Sequence, residues 1–395
     1  MSNDKKNISK GLWRVGAEEL SYVEKAINSG LRGDFTKKFE LDFAEKFESE
    51  FAIAVNSGTS ALHACMYALG VGPGDEVIVP SLTFIATGFA PLYVGATPVF
   101  ADIDPDTFLI SPEDIRRKIT PRTKAIITVS LYGANPDYDQ IRELADSHGL
   151  KLLEDNAESV FGRYKGGLVG TFGDMSIFSL QRSKHLTTGD GGVITTNDAD
   201  LAVRARKFAD LGYARLMAGS KATDTTKEDI QDPGYLRHEF IGQNLRMAEV
   251  VAAMGIAQLE KLDSMIEKRQ IIGEVFASKL DNCPWLVRQK IQEDTSSSYW
   301  TFVFYIDEQV KEITWHEFRS KFREFGGDSF YGAWALSHKE PALKHFDTEL
   351  NYCPVAEALQ PKLIQMKTNY DKERDWEAQA IALEKTIRFF DKNRV

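Results

Sequence analysis

Cysteine is scarce. Cys65, Cys283 and Cys353 are the only three in 395 residues, and they lie far apart. Three scattered thiols make neither a disulfide framework nor a metal-ligand spacing, so no metal centre is expected. Positive charge is in deficit. Lys and Arg total 48 against 58 Asp and Glu, a net charge of −10. Nucleic acid and anionic membranes reward basic patches, so neither is an expected partner. No run of about 18 apolar residues occurs, so no membrane-spanning helix is expected. The stretch "MSNDKKNISK" has no apolar core behind its charges and does not read as a secretory leader. A reducing cytoplasm is the expected compartment. Hydrophobic residues make up 43 % of the chain, enough to bury a large core.

What is present is a rhythm. Residues 14 to 30 read as an amphipathic helix around Leu20, Val23 and Ile27. "FTKKFELDFAEKFESEF" reads as a second helix, whose Phe39, Phe43 and Phe47 recur every four residues as a core stripe. Short apolar runs then alternate with helical stretches. "EVIVP", "TPVFADID", "TKAIITVSLYG", "LKLLED", "MSIFSL" and "GVITT" read as strands, with Ser111 as an N-cap before one of the intervening helices. Such alternation predicts an α/β fold with a mostly parallel sheet flanked by helices. Residues 214 to 234 are polar and unpatterned, and read as an excursion. A long helical segment follows from Met247 to Leu280, then an α+β pattern. The expected organisation is an arm over residues 1–14, a large domain over 15–262 and a small C-terminal domain over 263–395.

Ligands of open parallel sheets bind beyond the carboxyl ends of the strands, so polar residues just after apolar runs are the candidates. Three stretches qualify. "NSGTSALH" opens a helix, where backbone N–H groups with the hydroxyls of Ser57, Thr59 and Ser60 could cradle a phosphate. An ordinary N-cap has the same appearance. "LLEDNAES" ends a strand on Asp155, either a turn cap or a carboxylate placed to meet a cationic ring nitrogen. "SLQRSKHLTTGDGG" sets Lys184 five residues after Ser179, either a surface lysine or one able to form a Schiff base. Singly, each has an ordinary explanation. In this order and spacing, they match the layout of fold-type I pyridoxal-phosphate enzymes.

Stretches such as "SGTSALH", "GVGPGDEVIVPSLTFIATGFAPLYVGATPVFADIDPDTF", "LLEDNAES", "GTFGDMSIFSL", "SKHLTTGDGGVITTND" and "GQNLRM" resemble the DegT/StrS-type sugar aminotransferases, densely over residues 15 to 265 and loosely beyond. The resemblance implies pyridoxal 5'-phosphate as cofactor, with pyridoxamine 5'-phosphate as its half-reaction form. It implies that Lys184 is the cofactor-bound lysine and later the general acid/base. Asp155 would pair the ring nitrogen, Phe84 would stack on the ring and Glu158 would lie near it. Gly58, Thr59, Ser60 and Ser179 would hold the phosphate. Asn244 would reach the phosphate of the neighbouring subunit's cofactor, which implies a homodimer with shared sites. Relatives that are dehydratases carry His in place of the lysine, so Lys184 favours transamination.

The resemblance also implies L-glutamate as amino donor and a keto sugar, usually nucleotide-linked, as acceptor, for surface polysaccharide or glycoconjugate synthesis. Arg32, Lys38, Arg182 and Arg246 are candidate cations for an anionic substrate. Tyr331, Trp334 and His338 fall where relatives place substrate contacts. Ser130 stands where many relatives carry His, and "NYCPVAEALQPKLIQMKTNY" lacks a common Leu-Pro pair. The second departure motivates an alternative acceptor, a small phosphorylated ketone. A non-catalytic pyridoxal-binding sensor is the alternative from another class, and the paired presence of Lys184 and Asp155 argues against it.

Overall fold

In the computed structural model, residues 13–219, 228, 231–346 and 348–392 are described. Short runs of apolar, often β-branched residues form the central strands β1 (Phe51–Val55), β2 (Glu76–Pro80), β3 (Thr97–Ala101), β4 (Thr123–Val129) and β5 (Lys151–Asp155). Later come a hairpin-like pair, β6 (Arg163–Tyr164) and β7 (Gly167–Leu168), and two more central strands, β8 (Met175–Ser179) and β9 (Gly192–Thr196). The central sheet has the order β1-β9-β8-β5-β4-β2-β3. β9 runs antiparallel to both neighbours, and the pairings among the other five consecutive strands are parallel.

Both faces are covered, so the strands are apolar on both sides. The two-residue period assigns the faces. Val77, Val79, Ile127 and Leu153 share a core with Leu62, Cys65 and Met66 of α3 (Gly58–Ala68). Ile78, Ile126 and Leu152 point the other way, against Ile115 of α5 (Pro112–Lys118) and Ile141 of α6 (Tyr138–His148). A short α4 (Ile85–Phe89) follows β2, and α7 (Ala199–Ala209) follows β9. All three cysteines are buried and unbonded.

The phenylalanine stripe of α2 (Phe35–Lys46) enters the core as its spacing predicts. The rings of Phe43 and Phe47 stack at 4.0 Å, and Phe43 meets Phe178 of β8 edge-on at 5.3 Å. The first helix, α1 (Ala17–Asn28), departs from expectation. Leu20 and Ile27 are 68 % and 59 % exposed, and the buried residues are Glu19 and Ala26. A polar network turns that face inward. Glu19 accepts hydrogen bonds from Gly16 N at 2.7 Å and Gln258 Nε2 at 2.6 Å, and pairs with Lys261.

The long helical segment breaks at Lys261 into α8 (Glu249–Glu260) and α9 (Leu262–Leu280). α9 serves two cores. Leu262, Met265 and Ile266 pack with the phenylalanines of α2, whereas Ile272, Phe276 and Leu280 pack in the C-terminal core. That core fills the space between a second sheet and its helices α10 (Trp315–Glu324) and α12 (Glu373–Lys392), with α11 (Pro354–Leu359) lying between them in sequence. The second sheet has the order β10-β12-β14-β13: β10 (Leu286–Arg288), β12 (Thr301–Ile306), β14 (Leu363–Lys367) and β13 (Tyr331–Gly332). A small third sheet, unforeseen from sequence, pairs β11 (Thr295–Ser296) with β6 and β7. Of the polar excursion at 214–234, residues 220–227, 229 and 230 lie outside the described residues.

Phe43→Ala removes a fully buried ring that joins α2 to β8. A loss of about 3–5 kcal/mol is expected, read as a lower urea midpoint. A loss below about 1 kcal/mol would contradict the packing described.

Candidate active site

A cleft of about 610 Å³ opens where β4, β5 and β8 end and α3 and α4 begin. Lys184, Asp155, Glu158, Ser179, Gly58 and Thr59 all line it. Phe84 forms part of the wall, at the start of α4, with its ring edge-on to Trp334 at 5.4 Å. Residues far apart in sequence therefore converge at the carboxyl end of the sheet, as the topology rule requires.

Lys184 sits on an irregular loop between β8 and β9. Its Nζ donates to Glu158 Oε1 at 3.0 Å and lies 4.3 Å from the Trp300 ring centroid. The other oxygen of Glu158 accepts from Tyr132 N at 3.1 Å. Side chains from elsewhere grip the loop. Trp300 Nε1 donates to Ser183 O at 3.0 Å. The Arg14 guanidinium donates to the carbonyls of Arg182, Lys184 and His185. Burial pulls Arg14 down to about 10, which leaves it charged at neutral pH. His185 is buried under the loop, with Nε2 at 3.0 Å from Ser298 O. Burial, and then the charges of Arg269 and Arg14, push its pKa well down, so the ring stays neutral.

Asp155 ends β5 and is 4 % exposed. Its carboxylate accepts from Thr87 Oγ1 at 2.8 Å and Ala157 N at 3.1 Å. Among the described residues no Lys, Arg or His forms an ion pair with it. Burial raises its pKa above the ordinary value, opposed by those two hydrogen bonds and by the charge of Lys184. A buried carboxylate with two neutral donors and no paired cation suits a ligand that brings its own positive charge.

The phosphate-cradle candidate is partly committed to the fold. Ser57 caps α3, accepting from Ser60 N at 3.0 Å, and Ser60 Oγ donates to Asn56 Oδ1 at 2.6 Å. The first N–H groups of α3 and the Thr59 side chain remain on the cleft side. The backbone here is crowded. A Cβ on Gly58 would come within 3.0 Å of Ser179 Cβ, and one on Gly192 within 2.4 Å of Ser57 O. Gly192 therefore requires glycine, and Gly58 lets Ser179 pack tightly against the helix N-terminus. This donor set, an N-terminus plus a serine hydroxyl, fits a phosphate dianion.

Other sequence candidates lie elsewhere. Ser60 does not line the cleft. Arg182 is exposed on the lysine loop. Arg32 and Arg246 line a different cavity of about 650 Å³, where Arg246 pairs with Asp210. Lys38 is exposed and pairs with Asp42 at 2.7 Å. Asn244 is exposed on a segment bridged to Asp210. His338 is fully buried, its ring 5.6 Å from that of Phe100 and its Nε2 3.5 Å from Glu357, away from the cleft. Ser130 bonds to Asn156 at 2.8 Å and Tyr138 at 3.0 Å. Tyr331 and Trp334 do line the cleft. Sequence reasoning missed Trp300, Thr87 and Arg14. Arg14 read as part of an arm, and no local spacing marks it or Trp300.

The model of the DegT/DnrJ/EryC1/StrS aminotransferase family matches residues 14–379. The chain belongs to this family. It is a transaminase of a pyridoxal-phosphate-dependent family, with the fold-type I architecture of its structural neighbours. It is 40 % identical to the GDP-perosamine synthase of Escherichia coli O157:H7 over 286 residues, 72 % of this chain and 73 % of that protein. Identity to the spore coat polysaccharide biosynthesis protein SpsC of Bacillus subtilis (strain 168) is 34 %, over 76 % of each chain. The X-ray structure of the aminotransferase from Psychrobacter cryohalolentis superposes with a TM-score of 0.87 at 30 % identity, covering 95 % of this chain and 98 % of that one.

The raised pKa of Asp155 has a signed consequence. The folded state holds that proton more tightly than the unfolded chain does. The carboxylate therefore destabilises the cofactor-free fold progressively as pH rises from the ordinary value of about 3.9. Asp155→Asn removes that dependence. Its stability relative to the parent should improve as pH rises from acid to neutral, read by urea denaturation without cofactor. A pH-independent difference would contradict the burial effect.

Proposed function

We propose that this chain holds pyridoxal phosphate in the cleft and transfers an amino group from L-glutamate to a ketone on a nucleotide-linked sugar. The convergence of Lys184, Asp155 and the α3 N-terminus on one cleft carries this reading. Bound there, the cofactor supplies an electron sink for charge developing at the reacting carbon. The chain's residues do the rest. The N–H groups of α3, Thr59 and Ser179 bind the phosphate. The Asp155 carboxylate balances a protonated ring nitrogen and keeps it protonated. Phe84 covers the ring. Lys184 would hold the cofactor through its amine, and its Nζ would take and return the proton at the substrate carbon. Glu158, accepting from Nζ at 3.0 Å, keeps the amine aimed into the cleft.

Tyr331 and Trp334 offer aromatic faces to the sugar, and Arg182 stands at the rim of the lysine loop. The cleft would lie between a cofactor-holding body, residues 15–262, and a C-terminal body, residues 263–395. The exposed Asn244, with Arg32 and Arg246 in the second cavity, suits contribution to the site of a second copy in a homodimer. The printed names of the relatives support a sugar acceptor: one is a GDP-perosamine synthase, another a spore coat polysaccharide biosynthesis protein.

Lys184→Ala is expected to abolish transamination while leaving the thermal midpoint of the cofactor-free protein close to that of the parent. Full activity in that variant would sink the mechanism. The acceptor is tested separately. The pyridoxamine form, mixed with a panel of ketones, should regain the visible band of the lysine-bound cofactor with nucleotide-linked keto sugars. Recovery with small phosphorylated ketones instead would replace the acceptor and leave the rest of the reading standing.

A further inference from the structure

The loop from Gln181 to Gly191 has only a lone bridge between Gln181 and Gly189 and a turn bond from Lys184 N to Gln181 O at 2.8 Å, and among the described residues no backbone donor reaches the carbonyls from Arg182 to His185. Side chains take that part. The four successive carbonyls from Arg182 to His185 each accept from a side-chain donor. Trp300 Nε1 takes Ser183 O, and the single guanidinium of Arg14 takes the other three. Arg14 is 1 % exposed, and among the described residues no carboxylate pairs with it. A buried, unpaired cation is costly, and here carbonyl dipoles alone offset the cost. Replacement by an apolar side chain would avoid that cost but would release three carbonyls at once.

A second clamp acts on the same loop from the same segment. Gln258 of α8 donates from Nε2 to Arg14 O at 2.8 Å and accepts from Thr187 N at 3.0 Å through Oε1. Glu19 and Lys261 lock Gln258 in turn. The segment before α1 is thus tied to the lysine loop through both the side chain and the main chain of Arg14.

We infer that Arg14 is a positioning residue: its three-carbonyl grip sets the backbone of Lys184 and so the aim of Nζ. The guanidinium is needed for its fork, not only for its charge. Lysine at this position presents a compact ammonium that cannot span three carbonyls in one plane. The inference rests on the reading of Lys184 as the reacting amine. Its own content is about loop geometry, which can be read without cofactor.

The test uses the full chain with Arg14→Lys, with Arg14→Gln and Trp300→Phe as further variants that release carbonyls of the same loop. Amide hydrogen exchange on the cofactor-free protein should quicken from Lys184 to Thr188 in Arg14→Lys, while the central strands keep their protection. On the loaded enzyme kcat should fall by about 10- to 100-fold, as misaimed reacting groups do, with KM for the amino donor essentially unchanged. Arg14→Lys with parental kcat and parental exchange would overturn the inference. A fall in kcat with unchanged loop exchange would overturn it too. Failure of the underlying functional reading has a different signature: the parent protein would form no visible band with pyridoxal phosphate, whatever the exchange data show.

Discussion

A carboxylate held out of water at the end of β5, with no cation paired to it among the described residues, is the constraint around which the cleft is arranged. Two neutral donors, Thr87 and the amide of Ala157, stabilise Asp155 without neutralising it. The cation whose charge acts on it, the ammonium of Lys184, is instead engaged by Glu158. If Lys184 collapsed onto Asp155, the two charges would cancel each other. Glu158 therefore keeps two opposite charges apart, and Tyr132 N fixes Glu158 in that task. The separation leaves the Asp155 carboxylate without an ion-pair partner among the described residues.

Much of this was legible locally. "EVIVP" became β2 over Glu76–Pro80, and Ser111 caps α5 by accepting from Asp114 N. Short apolar strands and side-chain caps are decided by near neighbours in sequence, so pattern finds them. The same holds for Lys184, Asp155 and Ser179, each just beyond an apolar run. What pattern could not find was decided across the fold. The apolar stripe of α1 faces solvent because Gln258 and Lys261 bury Glu19 instead. Arg32 and Arg246 belong to a separate cavity, and His338 is enclosed beside Phe100, because tertiary packing, not spacing, chose their sides. Trp300 and Arg14 reach Lys184 from opposite ends of the chain, a relation that no window of sequence contains.

The lysine loop shows how an irregular segment can be held as firmly as a strand. Secondary structure satisfies carbonyls with its own amides, whereas here imported donors satisfy them, and each is anchored by something further back. Trp300 is held from behind by Arg269, whose Nη1 donates to Trp300 O at 2.9 Å. Arg14 is held by Gln258. The Lys184 amine is therefore only as well placed as the packing of α8 and α9, helices that do not line the cleft. Substitutions in that layer act on the chemistry through geometry while leaving every cleft residue intact.

The position of β1 has a consequence for how the molecule comes into being. β1 is the first strand of the central sheet in chain order, yet its strand neighbour among the described residues is β9, and the gap between them is filled by the strands and helices of most of the sheet. Such non-local pairing carries a loop-closure cost before any contact repays it, so the sheet edge closes late. The cleft closes later still, since Trp300, Tyr331 and Gln365 line it. A chain released before these residues are made would display unpaired strand edges and an open core, the features by which incomplete chains aggregate and are cleared. The cleft is therefore complete only in a chain made at least as far as Gln365.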